Sequence, residues 1–493
     1  MRSRSEAHLD AGVGPRPASP GAALPDQLLP FALVGDFSGR GARRGPDAVT
    51  PPLGDRPPAR VDRDTLDQVL ARFAPEVPLA LGGHRADAVA RFATLGDFHP
   101  DALLARLPVF ATLRSLGAQA GADARATAGP RGSGVAPPSP LDLVQRGDLL
   151  SRAVAATLGE AGGGDDPLQA FVRGLVAPHL VREAGPAERL RQAQVDAACG
   201  ALLRAILHDP GVRALESLWR AVDFLVRRVD SATEPPFYLV DVSQREAAAG
   251  LAASARVEDT ALFRLLGDPP GGRWGAIVSD FSFGADPDDA GLAGRLAALA
   301  RAAGAPWLAA AHPSLAGCPS LADHPDPAGW DRPVPAAWGM LRRRPEAAWL
   351  GLALPRFVLR LPYGPDTEPC ERLDWRETGE PPEHEQYLWG SPAFACALLL
   401  AGRLGPGGTL HTPGGVLDIG DLPLHLSAAD GETRAQPCAE VLLSERAALR
   451  LLDVGLMPLV SLKDRDAVRL LRFQSFAEPA APLSGPWGGA GRA

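Results

Sequence analysis

Apolar residues fall into two rhythms along this chain, helical spacing first and solid runs later. Residues 1–27, rich in Pro, Ala and Gly, predict a disordered arm. Order begins with LLPFALVGDFSGR (28–40), an apolar strand entering a Gly/Ser turn. In ARVDRDTLDQVLARFAP, Leu66, Val69, Leu70 and Phe73 stand at i, i+3, i+4 and i+7, one face of a helix. Asp62 or Asp64 is placed to cap it and Pro75 to stop it. A second helix is predicted from Pro100, with Pro108 breaking it. These elements, 28–116, form a small α/β segment. GAQAGADARATAGPRGSGVAPPSP (117–140) reads as a flexible linker.

A helical connector is expected over 141–186, and a long helix from about 187 to 207. Asp209 and Pro210 then make a capped start, after which Leu215, Leu218, Trp219, Val222, Leu225 and Val226 line one helix face. Beyond it the rhythm changes. FYLVDVS, RWGAIVSDFSF, APWLAAAH and WLGLALPRFVLRLPYG are apolar on both faces and alternate with helical stretches such as AGLAGRLAALARAAG. That pattern predicts a mixed α/β fold with a buried sheet and flanking helices over 187–478, and a disordered Pro/Gly-rich tail over 479–493. No repeat with a period of about 20–50 residues points to a solenoid.

Composition narrows the function. The chain has 493 residues, 46% hydrophobic and 22% charged, with a formal charge of −8. Those values describe a soluble globular protein and give no basic stripe for a phosphate backbone, so nucleic acid is not an expected partner. Lys463 is the one lysine among the basic residues. Five scattered cysteines without a CxxC suggest neither disulfides nor zinc, and a reduced, cytoplasmic setting. No signal-peptide core opens the chain. The longest apolar runs, such as FACALLLAG (394–402), are about half of what a membrane span needs.

Catalytic signatures are lacking. There is no GxxxxGK[ST], and GDFSGR (35–40) is neither GxGxxG nor GxSxG. HEQYL (384–388) lacks the second histidine of a zinc helix. GPGGTLHTPGGV (405–416) could bind an anion but opens no helix, so it reads as a surface loop. His208 reads as a packing or capping residue, and Asp286, Asp288 and Asp289 as solvated turn residues. Neither a cofactor nor a metal is predicted.

Several segments together resemble a known family, the large sheath subunit of type VI secretion systems. The family's ILH-x-P and LE-x-x-WR-x-x-x-x-LV stretches appear as Ile206-Leu207-His208-Asp209-Pro210, Leu215-Glu216-Ser217-Leu218-Trp219-Arg220 and Leu225-Val226. Its LPRFLLRLPYG appears as Leu354-Pro355-Arg356-Phe357-Val358-Leu359-Arg360-Leu361-Pro362-Tyr363-Gly364, and its YLWG as Tyr387-Leu388-Trp389-Gly390. SDFSF, APWLAAAHPSL, AEVLLSERAALRLLDVGLMPLV and FQS (473–475) are weaker echoes. Residues 28–116 are similar to the family's small subunit, which makes the chain a fusion of the two. Arg356 and Arg360, four apart in an apparently extended run, would share one face and need carboxylate or carbonyl partners. Trp219, Arg220, Tyr363 and Trp389 serve either core packing or subunit contact.

The resemblance implies a non-enzymatic structural subunit of a contractile sheath that drives effector translocation. Its implied partners are other sheath subunits, an inner tube protein, baseplate components and an AAA+ unfoldase for recycling. LDLVQRGDLLSRAVAATL (141–158) stands where the family's large subunit begins and where a helix engages the unfoldase. The family's large subunit continues beyond FQS into a C-terminal domain used for interlocking, which the resemblance does not reach here. Two other readings accompany this one: a non-contracting, sheath-like accessory or baseplate-associated protein, and an α/β hydrolase-like enzyme.

Overall fold

The computed structural model describes residues 28–42, 52–79, 88–115, 184–230, 235–267, 269–270, 272–379, 381–402, 417–429 and 432–486. The arm at 1–27, the linker at 117–140, the 141–158 segment and the glycine-rich 405–416 loop lie outside them.

The first apolar run forms β1 (Phe31–Gly35), all five residues buried. It ends at the predicted turn, where Gly39 adopts φ +72°, and a Cβ there would lie 2.6 Å from the Glu76 carbonyl oxygen. Only glycine takes this left-handed backbone without strain. After β2 (Ala59–Val61) comes α1 (Leu66–Phe73). Neither candidate aspartate caps it directly: the N-cap is Thr65, and Asp62 Oδ1 instead accepts from the Asp64 and Thr65 amides and the Thr65 hydroxyl. A hairpin of β3 (Glu76–Pro78) and β4 (Val89–Arg91) follows, then α2 (Pro100–Arg106), with helix resuming over 108–115 after the break at Leu107–Pro108.

The later part holds α3 (Ala184–Leu207), α4 (Pro210–Arg228), β5 (Phe237–Asp241), α5 (Gln244–Ala252), α6 (Ala261–Gly267), β6 (Ala276–Phe283), α7 (Pro287–Ala303), β7 (Trp307–Ala311), α8 (Ala336–Arg342) and β8 (Leu350–Leu354). After these come β9 (Phe357–Arg360), β10 (Leu388–Gly390), α9 (Pro392–Ala401), β11 (Asp418–Ile419), β12 (Leu426–Ala429), β13 (Glu432–Ala435), α10 (Glu445–Asp453), β14 (Met457–Ser461) and β15 (Val468–Leu470).

One nine-stranded sheet organises the molecule, in the order β11-β15-β14-β8-β7-β6-β1-β5-β2. From β14 to β5 the strands run parallel, and β2, β15 and β11 add antiparallel edges. The fold is therefore the predicted mixed α/β. Strand side chains alternate between two cores. Phe31, Leu33, Leu239 and Val278 face one, with α4 and α9; Ala32, Val34, Val240 and Ile277 face the other, with α5, α6 and α7. Both faces being covered, the strands read as solid apolar runs rather than alternating ones.

The N-terminal segment lies inside this sheet. Phe31 pairs in register with Phe237 on one side and with Ala276 on the other, so β1 sits between β5 and β6. Two arginines reinforce the join. Arg40 pairs with the Asp241 carboxylate, and Arg56 donates to Asp241 O at 2.9 Å and to Glu246 at 2.7 Å.

Two expectations are corrected. WLGLALPRFVLRLPYG is not one strand: the chain leaves the large sheet at Pro355, which has no N–H for a ladder, and β9 pairs with β10 in a separate antiparallel pair. The tail is packed through residue 486. Leu483 is buried, Ser475 Oγ donates to Ala481 O, and Ser484 N donates to Ala348 O. Leu483 has apolar company across the sheet end, which outweighs the local proline content.

Because β1 is flanked on both sides, cleavage at a protease site introduced between residues 117 and 140 should leave 28–116 bound to the remainder. Co-elution on a sizing column without denaturant is the expected result. Separation of the two pieces under those conditions would mean that the pairing does not hold them together.

Candidate functional site

α4 begins as its sequence predicts, with Asp209 accepting from Gly211 N at 2.8 Å and Val212 N at 3.2 Å. Its buried face carries the six predicted apolar residues, and also Glu216, which is fully buried. A buried carboxylate needs a matched partner, since desolvating it alone would force protonation.

That partner is Arg360, at the end of β9. Its Nε donates to Glu216 Oε1 at 2.6 Å and its Nη2 to Oε2 at 3.1 Å. On the other side of the guanidinium, Nη1 and Nη2 donate to Glu377 at 2.7 and 3.2 Å, and Nη1 also reaches Leu361 O at 3.1 Å. One planar fork is thus held by two carboxylates, a geometry lysine cannot supply. Arg220 completes the group: Nε donates to Glu216 at 2.7 Å, and Nη2 to the Tyr363 hydroxyl at 2.9 Å. The Tyr363 ring lies 4.1 Å from the Arg360 guanidinium carbon, and its amide donates to Glu377 at 2.8 Å. His208 Nε2 stands 3.4 Å from Glu377 Oε1.

The two arginines and two glutamates balance in charge. Burial by itself would raise both carboxyls, but Arg360 and then Arg220 hold Glu216 below its ordinary value. For Glu377 burial is likewise outweighed by Arg360, with His208 and the Tyr363 amide adding to it, and the carboxyl falls to about 2. Burial pushes the Tyr363 phenol up.

A second network surrounds Arg356, where the chain turns from β8 into β9. Its Nε donates to Glu440 at 2.6 Å, its amide to the other Glu440 oxygen at 2.9 Å, and Nη2 to Glu385 at 2.8 Å. Its guanidinium lies 6.0 Å from the Trp389 ring. Trp389 donates to His384 O at 2.9 Å and accepts, at its carbonyl, from Ser217 Oγ at 2.7 Å. Arg213, on the first turn of α4, donates to the carbonyls of Glu385 and Tyr387. Contact with His384, and then Arg356, hold Glu385 at about 2. Arg356 and Arg360 thus each have carboxylate partners and draw on different ones, Glu440 and Glu385 against Glu216 and Glu377.

Trp219 belongs to neither network. It is fully buried, donates from Nε1 to Phe37 O at 3.0 Å, and packs edge-on with Phe37 at 5.3 Å and Phe73 at 5.8 Å. It fastens α4 to the turn after β1 and to α1.

All six predicted residues thus gather around α4, β9 and β10, and the carboxylates that make sense of them are Glu216, Glu377, Glu385 and Glu440. Glu216 had a readable signal, an acid set within an apolar helix face; the other three carry no local one. Asp101 was missed too: it receives the amides of Glu371 at 3.0 Å and Arg372 at 2.9 Å, tying the start of α2 to the chain after Tyr363.

Among the described residues, His384, Glu385 and Glu440 place one possible metal-ligand atom each within 4.8 Å of one another. The Arg356 guanidinium already supplies the cation there, so a metal ion would have to displace it. Beside these groups lies a cavity of about 670 Å³, bordered by Arg213, Asp280, His312, Arg356 and Trp389. No helix among the described residues is long and apolar enough to cross a membrane.

LPRF and YLWG, the segments that carry the resemblance to a sheath protein, thus lie against an ion-paired helix beside a parallel sheet clad on both faces, and comparison with known families supports that resemblance. Residues 191–477 match the VipB family, EvpB/VC_A0108, tail sheath N-terminal domain. The match takes in more than half of the chain, which belongs to this family. A relative is the type VI secretion system sheath protein TssC1 of Pseudomonas aeruginosa, 28% identical over 303 residues, or 58% of this chain. The chain spans 61% of that protein's length.

Two outcomes follow from the buried network. Arg360→Met leaves two carboxylates without their cation and should cost about 3–5 kcal/mol of stability in urea unfolding at pH 7; Tyr363→Phe, losing one hydrogen bond, should cost about 1–2 kcal/mol. Acid should act through Glu377. Its folded value of about 2 lies below the ordinary 4.5, so its contribution is complete above 4.5 and lost as pH falls toward 2. Urea midpoints measured from pH 6 to 3 should fall more steeply for the parent than for Glu377→Gln, and parallel slopes would contradict the assignment.

Proposed function

We propose that this chain is a structural, non-enzymatic subunit of a type VI-like contractile sheath, in which a small-subunit-like segment is fused ahead of a large-subunit-like one. Membership of the sheath family implies assembly with other sheath subunits. The observation that carries the fused reading is the seating of β1 between β5 and β6. What would otherwise be an association between two chains becomes intramolecular, at the high effective concentration that a tether provides.

In this reading the sheath surrounds an inner tube, docks on baseplate components, and is recycled in the cytoplasm by an AAA+ unfoldase. The arginine networks serve the subunit's rigidity. A contracting lattice must transmit force through its subunits, and a core fastened by matched ion pairs moves as one body. No cofactor enters the proposal. The closely packed cores and the pairing of Arg213, Arg356 and Arg360 favour a structural use of these residues over hydrolytic chemistry.

The test is co-expression with candidate tube, baseplate and unfoldase proteins encoded nearby. Recovery of the chain in tube-bound assemblies by affinity capture and electron microscopy is expected. Deleting 141–158 should abolish unfoldase capture while leaving thermal unfolding of the isolated chain unchanged. A chain that captures baseplate proteins but never sheath or tube proteins would favour the non-contracting accessory reading instead.

A further inference from the structure

The cavity beside Arg356 lies at the carboxyl ends of β6 and β7, where open parallel sheets ordinarily present ligand sites. At about 670 Å³ it has the size of a small-molecule site. Its permanent cations are already engaged. Arg356 is paired with Glu440 and Glu385, and Arg213 is spent on two backbone carbonyls. Little positive charge remains to attract an anion.

The unengaged groups are of the opposite kind. Asp280, on β6, borders the cavity and has no hydrogen-bond or ion-pair partner among the described residues. The charge felt most at its carboxylate is another acid, Asp36, so burial and that repulsion together push it up to about 7. Asp36 itself is occupied with the amides of Arg40 at 2.8 Å and Gly41 at 2.6 Å. Ser391 and His384 also border the cavity; Ser391 Oγ and His384 Nε2 are buried without a hydrogen-bond partner, and the Ser391 side chain leaves the start of α9 uncapped. A buried polar group left unmatched costs free energy that a bound ligand would recover.

We propose that this cavity is a binding site for a small organic cation bearing a guanidinium or primary ammonium group, which pairs with the Asp280 carboxylate and donates to Ser391 Oγ. A cation of this type adds the one charge the cavity lacks, and its N–H groups match acceptors that the protein leaves open. His384 Nε2, 3.8 Å from Glu440 Oε1, lies on the same wall and can accept a further N–H in its neutral form. This site is independent of whether the chain assembles into a sheath.

Agmatine, which carries both groups, is the probe. Isothermal calorimetry on the full chain should give saturable binding, and thermal unfolding should shift upward in its presence. Asp280→Asn should weaken binding at least ten-fold. Removing the repulsion with Asp36 should also make that variant at least as stable as the parent without ligand. Ser320→Trp, which puts a bulky ring among the residues that border the cavity and leaves Asp280 itself unchanged, should abolish binding and serves if the first variant fails to fold. Absence of agmatine binding, equal affinity in Asp280→Asn, or tighter binding of phosphate than of agmatine would each overturn the proposal. Binding of a tetra-arginine peptide but not of agmatine would also overturn it, by assigning the cavity to a macromolecular side chain.

Discussion

A guanidinium buried between two carboxylates has to be matched on every edge, and in this protein that demand falls on Arg360. Its donors meet Glu216 from α4 and Glu377 from the segment beyond Tyr363, so three pieces of chain can close in one arrangement only. Such a pair adds little stability over a well-packed apolar substitute, but losing one member leaves a charge stranded. Its value here is register. With Arg360 seated, β9 lies along α4, Tyr363 stacks on the guanidinium, and Arg220 is held by the same Glu216 and by the Tyr363 hydroxyl.

Arg356 plays a different part only four residues earlier. It turns outward at the point where the chain changes sheets, and its hydrogen bonds to Glu440 and Glu385 bring a late segment against β9 and β10. The inner network therefore sets how α4 meets β9, and the outer one sets how the region before α10 closes over them. Beside the outer network lies the cavity that Asp280 borders.

Much of the fold could be read from residue pattern because it rests on local rules. Helix α4, with its Asp209 cap and its stripe from Leu215 to Val226, needs no distant information. The buried parallel strands were legible from being apolar on both faces. What could not be read was long-range. Nothing near Arg360 announces a carboxylate 144 residues away, nor does the turn after β1 announce that its Phe37 carbonyl will receive the Trp219 indole. The site was legible in its arginines and aromatics and illegible in their partners, because charge matching is enforced in space and leaves only single residues in sequence. Pro355 misled for a related reason: a solid apolar run conceals a change of sheet when only one residue breaks the ladder.

The central position of β1 also bears on how the chain comes into being. The strand is made early, yet its two neighbours come far later: Ser38 and Asp241, which bond across the β1–β5 join, are 203 residues apart. At ordinary rates of roughly 5–20 residues per second, β1 waits about 10–40 s on the ribosome with both edges open. Closing so long a loop in the middle of a parallel sheet is entropically slow, and an open apolar strand is a template for pairing with the wrong chain. The nascent segment has a built-in exposure period that a chaperone would cover, because the strand at the heart of the sheet, though made first, gains its second neighbour only once β6 has been made.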